Sequence, residues 1–129
     1  MFLYNNDKRN IARINSFLME IKESYRSQLN MIEIDISTII KTIQESKINL
    51  QNIKTSMDTS YMILSSSQVA KANEFAEIDS LQEIINLREI ELNDLKLRQE
   101  ELMEKLAEVE EVIGCANAVR EALEDKSFT

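Results

Sequence analysis

The 129-residue chain has no proline, histidine or tryptophan, one glycine, one cysteine, and 15 Lys+Arg against 23 Asp+Glu, a formal net charge of −8. Without histidine it lacks the usual general base and the commonest metal ligand; one cysteine makes no internal disulfide; an acidic surface does not suit phosphate contacts. We therefore expect no enzyme activity, no cofactor, no metal site and no nucleic-acid partner. Proline and glycine are the usual punctuation of folded chains, and their near absence predicts one all-α unit of long helices.

The first residues, Met1-Phe2-Leu3-Tyr4 followed by Asn5-Asn6-Asp7-Lys8-Arg9, have the wrong order for a cleavable signal, which places basic residues before the apolar core. No run approaches ~18 apolar residues, so no membrane span is expected. A single Cys115 suits a reducing compartment. These features predict a cytoplasmic protein.

The first predicted helix covers about 8–57. Ile11, Ile14, Leu18, Ile21, Tyr25, Leu29, Ile32, Ile36, Ile39, Ile43, Ser46, Leu50, Ile53 and Met57 step by three or four, the spacing of a left-handed coiled coil. Two steps of four run in succession through Ile21, Tyr25 and Leu29, which predicts a stutter that locally unwinds the supercoil. The start of this helix is basic (Lys8, Arg9, Arg13, Lys22 and Arg26, against Glu20 and Glu23). Such a surface either caps an acidic partner helix or docks into an acidic groove.

A reversal is predicted within 58–73. Thr55, Ser56, Asp58, Thr59 and Ser60, then Ser65-Ser66-Ser67, carry side chains that bond their own backbone and compete with the helix. Tyr61-Met62-Ile63-Leu64, Val69 and Phe75 form an apolar, aromatic cluster there. It either plugs the tip or serves as a binding hot spot.

The second predicted helix covers about 74–124, with a seam of Ile78, Leu81, Ile85, Arg88, Leu92, Leu95, Gln99, Leu102, Leu106, Val109, Ile113 and Ala116. Arg88 and Gln99 are its polar members, and polar seam residues fix register at some cost in stability. Acidic clusters such as Glu100-Glu101-Glu104 and Glu108-Glu110-Glu111 read as solvated helix faces. Gly114-Cys115-Ala116-Asn117-Ala118 thins the helix, either for close approach of another helix or as a fraying point.

Charge selects the topology. Residues 1–57 hold eight Lys/Arg and six Asp/Glu, whereas 74–129 hold six and sixteen. An antiparallel hairpin sets these halves together, and a parallel dimer of continuous helices sets acid beside acid. With the turn near residue 66, residue i faces roughly 132 − i, which places Lys22 and Arg26 opposite Glu104, Glu108 and Glu110. The predicted fold is thus a long antiparallel two-helix coiled-coil hairpin, monomeric, with each helix roughly 70 Å long at ~1.5 Å per residue.

Over nearly its whole length this pattern resembles the FliJ/YscO family, the coiled-coil stalk proteins of bacterial type III secretion. The closest local similarity is the run Asp58-Thr59-Ser60-Tyr61-Met62-Ile63-Leu64 through Gln68-Val69-Ala70. The chain departs from the family in being acidic and in lacking Arg-rich runs over 65–85. The resemblance implies a FliJ-like, non-enzymatic stalk that promotes assembly and activity of a hexameric secretion ATPase and links it to the cytoplasmic ring of the export gate. It implies a place at the base of the membrane-embedded apparatus, touching the membrane only through partners, in protein transport for virulence or flagella. Lys8, Arg9, Arg13, Val119, Arg120 and Leu123 are then expected at the ATPase, and Tyr61, Leu64 and Phe75 at the gate, with a secretion chaperone as a further partner. Two other readings stand beside it. One is a secretion chaperone or adaptor whose apolar seam is completed by a client helix; the other is a purely structural coiled-coil tether.

Overall fold

The computed structural model describes residues 2–63 and 68–127, and the side-chain surroundings of 7–58 and 73–124. The described residues form two α-helices, α1 (Phe2–Ile63, 62 residues) and α2 (Gln68–Ser127, 60 residues), which pack against each other as an all-α hairpin. No described helix is long and apolar enough to cross a membrane.

Both helices run into the 58–73 window expected to hold the reversal, α1 as far as Ile63 and α2 from Gln68. The hydroxyl-rich approach to it stays helical for a local reason. Thr55 donates its Oγ1 hydrogen to the carbonyl of Gln51 at 2.9 Å, and Thr38 and Thr42 do the same to Ile34 and Thr38, each at 3.0 Å. A hydroxyl bonded one turn back ceases to compete with the helix. Tyr61, Leu64 and Val69 lie outside the residues whose surroundings are described.

The buried and half-buried residues of α1 are Ile11, Asn15, Leu18, Lys22, Tyr25, Leu29, Ile32, Ile36, Ile39, Ile43, Ser46, Leu50, Ile53 and Met57, joined by Ile21 and Thr42. Those fourteen seam positions alternate steps of four and three without a break. The expected stutter is therefore absent. It arose from taking Ile14 and Ile21 as seam residues, whereas the heptad passes through the polar Asn15 and Lys22. Ile14 is 51% exposed. In α2 the corresponding seam is Glu74, Ile78, Leu81, Ile85, Leu92, Leu95, Gln99, Leu102, Leu106, Val109, Ile113, Ala116, Arg120 and Leu123. Arg88, expected in that seam, is exposed and pairs with Glu91 at 2.7 Å on the outer surface. A guanidinium gains more from water and a carboxylate than from an apolar layer.

The chain divides into two compact units, one of residues Ile34–Leu97 and one of Met1–Glu33 with Arg98–Thr129. The first, the reversal unit, has an apolar core of Ile39, Ile43, Leu50 and Ile85, against which Ile78, Leu81, Leu92 and Leu95 pack. Ile85 is its most enclosed side chain, 2% exposed, and Met57 follows at 4%. An aliphatic side chain fully removed from water contributes roughly 1.5–3 kcal/mol. Lys47 and Glu89 bridge the two helices beside this core at 3.4 Å.

The second, the terminal unit, has no described residue in the fully buried class. Its seam is half-closed and mixes Ile11, Leu18, Leu29, Leu102, Leu106 and Ile113 with polar Asn15, Lys22, Gln99 and Arg120. Each layer of this unit thus excludes less water, so apolar burial contributes less per residue than in the reversal unit.

Candidate interaction surfaces

The register of the terminal unit is set by polar contacts. Asn15 Nδ2 donates to Asn117 Oδ1 at 3.1 Å. Lys22 Nζ lies 3.7 Å from Glu110 Oε1, and an Arg26 guanidinium nitrogen lies 3.8 Å from the same oxygen. Asn15 with Asn117 and Lys22 with Glu110 both obey the expected rule that residue i faces 132 − i. Glu104 and Glu108, expected to share in these bonds, make none with Lys22 or Arg26 because their heptad positions point outward. Arg26 is also held by Glu23 at 3.6 Å.

Heptad letters organise the two sides of this seam. With Asn15 and Lys22 at a and Leu18 and Tyr25 at d, Arg26 is an e residue. So are Glu110 and Asn117 of α2. All three contacts above lie on that e side, which is polar and cross-bonded, although Met19 and Met103 also sit on it. The g side, across the seam, is different. There α1 presents Ile14 and Ile21, with Phe17 beside them at c. In the same register α2 presents Val119 level with Ile14, Val112 level with Ile21, and Cys115 beside them at c. Ile14, Phe17, Val112 and Val119 are 51%, 62%, 49% and 52% exposed, Cys115 is exposed, and Ile21 is half-buried. The g and c positions of α1 from Asn10 to Met31 carry no charge at all, nor do those of α2 from Val112 to Ala122. Apolar a, d and g positions together mark helices built for more than a two-helix seam. Periodicity in the sequence held this signal. It was missed because Ile14 and Ile21 were assigned to the seam.

The residues expected at a partner ATPase divide between surface and seam. Lys8, Arg9 and Arg13 are exposed on α1, and Val119 is exposed on the g side of α2. Arg120 and Leu123 are half-buried at seam positions. The structure therefore groups Val119 with Ile14 rather than with Arg120 and Leu123.

Of the residues expected at the tip, Tyr61 and Leu64 lie outside the described surroundings. Phe75 is about half exposed and belongs to the reversal unit. It lines a shallow groove with Lys54, Met57, Asp58 and Ile78. A ring held at the edge of a groove, with a carboxylate and an ammonium nearby, offers both apolar and polar contact to a protein partner.

Gly114 continues α2, and a Cβ there would meet nothing within 4 Å. At Gly114 itself the helix is thus neither in close contact with a described residue nor broken, while Ala116 and Asn117 of the same stretch face the seam. Among the described residues no cluster of three or more His, Cys, Asp or Glu side chains converges on a metal-sized site. The chain matches no family model, and no curated protein or solved structure matches it.

Proposed function

We propose that this chain is a non-enzymatic hairpin that binds protein partners through its terminal unit. The observation that carries this is the half-closed seam of the terminal unit, where no described side chain is fully buried, with exposed Ile14, Phe17, Val112 and Val119 beside it. A hairpin that served only as a spacer has no use for that flank, which adds apolar surface in water.

The specific form we propose is a stalk of a type III secretion ATPase, as the resemblance to the FliJ/YscO family implies. Lys8, Arg9 and Arg13 would meet the ATPase, and Phe75 the export gate. What supports it is the antiparallel hairpin, the exposed basic residues at the start of α1, and the groove at Phe75. The test is ATP hydrolysis by the secretion ATPase of the same bacterium with and without the purified chain. Stimulation that Arg9→Glu with Arg13→Glu abolishes supports the stalk. Unchanged hydrolysis at saturating chain rejects it.

The uncharged flank favours a second reading, a chaperone or adaptor completed by a client helix. That protein would leave the ATPase rate unchanged and gain order when its client binds.

A further inference from the structure

The terminal unit has one bonded side and one bare side. On the bare side, the heptad register sets Ile14, Phe17 and Ile21 of α1 level with Val112, Cys115 and Val119 of α2, and all but the half-buried Ile21 are exposed. Apolar residues at a, d and g on both walls are what a third helix requires. Contiguous apolar surface of this kind marks an interaction site more often than chance exposure does.

Charge selects the occupant. The α2 wall continues into Glu101 and Glu108 on the c line of Cys115, and Glu104 and Glu111 one line further out. None of the four makes an ion pair with a described residue, and Lys105 is the one cation on the g, c and f lines between 101 and 122. The α1 wall is balanced, with Arg13 and Glu20 beyond its uncharged strip. A helix with a basic edge would neutralise this wall, whereas the α2 of a second copy would add to its negative charge.

We infer that the g side of the terminal unit is a docking groove for an amphipathic partner helix with an apolar stripe bordered on one edge by Lys or Arg. The helix seats its stripe on Phe17, Ile14 and Val112 and turns its basic edge toward Glu104, Glu108 and Glu111. This goes beyond the stalk reading and stands without it, since the groove can be occupied whether or not an ATPase responds.

Cys115 is the only thiol in the chain and is exposed on the c line that borders the proposed groove, so its alkylation by a maleimide reports occupancy. The full-length chain is mixed with one of two synthetic helical peptides sharing a Leu stripe, one edged with Lys and one with Glu. The Lys-edged peptide is expected to slow Cys115 alkylation at least tenfold at saturation and to lose affinity as salt is raised. The Glu-edged peptide is expected to have no effect. Phe17→Ser with Val112→Ser, both at exposed positions, should abolish protection with helicity by circular dichroism unchanged. Equal protection by both peptides, or none from either, overturns the proposal. So does a chain that sediments as a dimer with Cys115 already protected, because a second copy is then the occupant.

Discussion

Asn15 and Asn117 meet side chain to side chain at 3.1 Å across the terminal unit, with Asn15 in a seam position where coiled coils ordinarily hold an aliphatic residue. The other amide oxygen, Asn15 Oδ1, is buried without a partner among the described residues. The pair therefore fixes register more than it stabilises: a slide by one heptad replaces Asn117 opposite Asn15 by Glu110 or Glu124 and breaks the amide pair. Leaving a buried acceptor unmet costs about 1–3 kcal/mol.

Asn15→Leu is accordingly expected to raise the stability of the chain by about 1 kcal/mol. Chemical denaturation should show a higher midpoint. Cross-linking of cysteine pairs placed across the seam should show more than one register in the variant and one in the parent. A lower midpoint would mean that the amide pair outweighs the unmet acceptor.

Ile85 is the best-enclosed side chain of the reversal unit, and Leu106 holds a half-buried place in the terminal unit. Ile85→Ala should cost about 2–4 kcal/mol, within the range for core aliphatic truncation. Leu106→Ala should cost less than half of that, since water already reaches its site. Equal losses in urea melts would contradict the difference in burial.

Native-state hydrogen exchange should reproduce the same contrast along the backbone. Amides of 39–57 and 78–95 are expected to exchange more slowly than those of 11–25 and 106–120, because opening free energy follows local apolar burial. Uniform protection across both units would show that the half-closed seam opens only with the whole chain.

Gly114 sits mid-helix with open space where a Cβ would be. Gly114→Ala should stabilise α2 by about 0.5–1 kcal/mol through backbone entropy alone. A destabilised variant would mean that something occupies that space in solution.

On the stalk reading, Tyr61→Ala with Phe75→Ala should abolish binding to the export-gate ring with helicity unchanged. Surface plasmon resonance against the isolated ring protein tests this, and retained binding rejects the gate role of these residues.

The hairpin was legible in the sequence because helix-breaking residues are nearly absent and the apolar steps alternate by three and four. The opposed charge of the halves carried the register: Lys22 and Arg26 do meet Glu110. What misled was reading hydrophobicity where periodicity was the better guide. Ile14 and Ile21 outrank Asn15 and Lys22 on any apolar scale, yet an unbroken heptad requires the latter pair. Long polar side chains can hold a seam position by covering it with their stems while their heads reach the edge, as Lys22 does toward Glu110. Moving the two isoleucines out of the seam is also what reveals the apolar flank. The serines and threonines before the reversal misled for a related reason, since a hydroxyl's choice between its own helix and a turn depends on the carbonyl available one turn back.

One consequence follows from the composition of the terminal unit, which joins Met1–Glu33 to Arg98–Thr129. Residues far apart along the chain share that single body and are neighbours in it. A fluorescent donor at Ala12 and an acceptor at Ala118 would therefore act as a gauge of whether this body is open or shut, blind to events in Ile34–Leu97. Read one molecule at a time, such a pair would convert partner capture into a change of colour without touching the residues that bind.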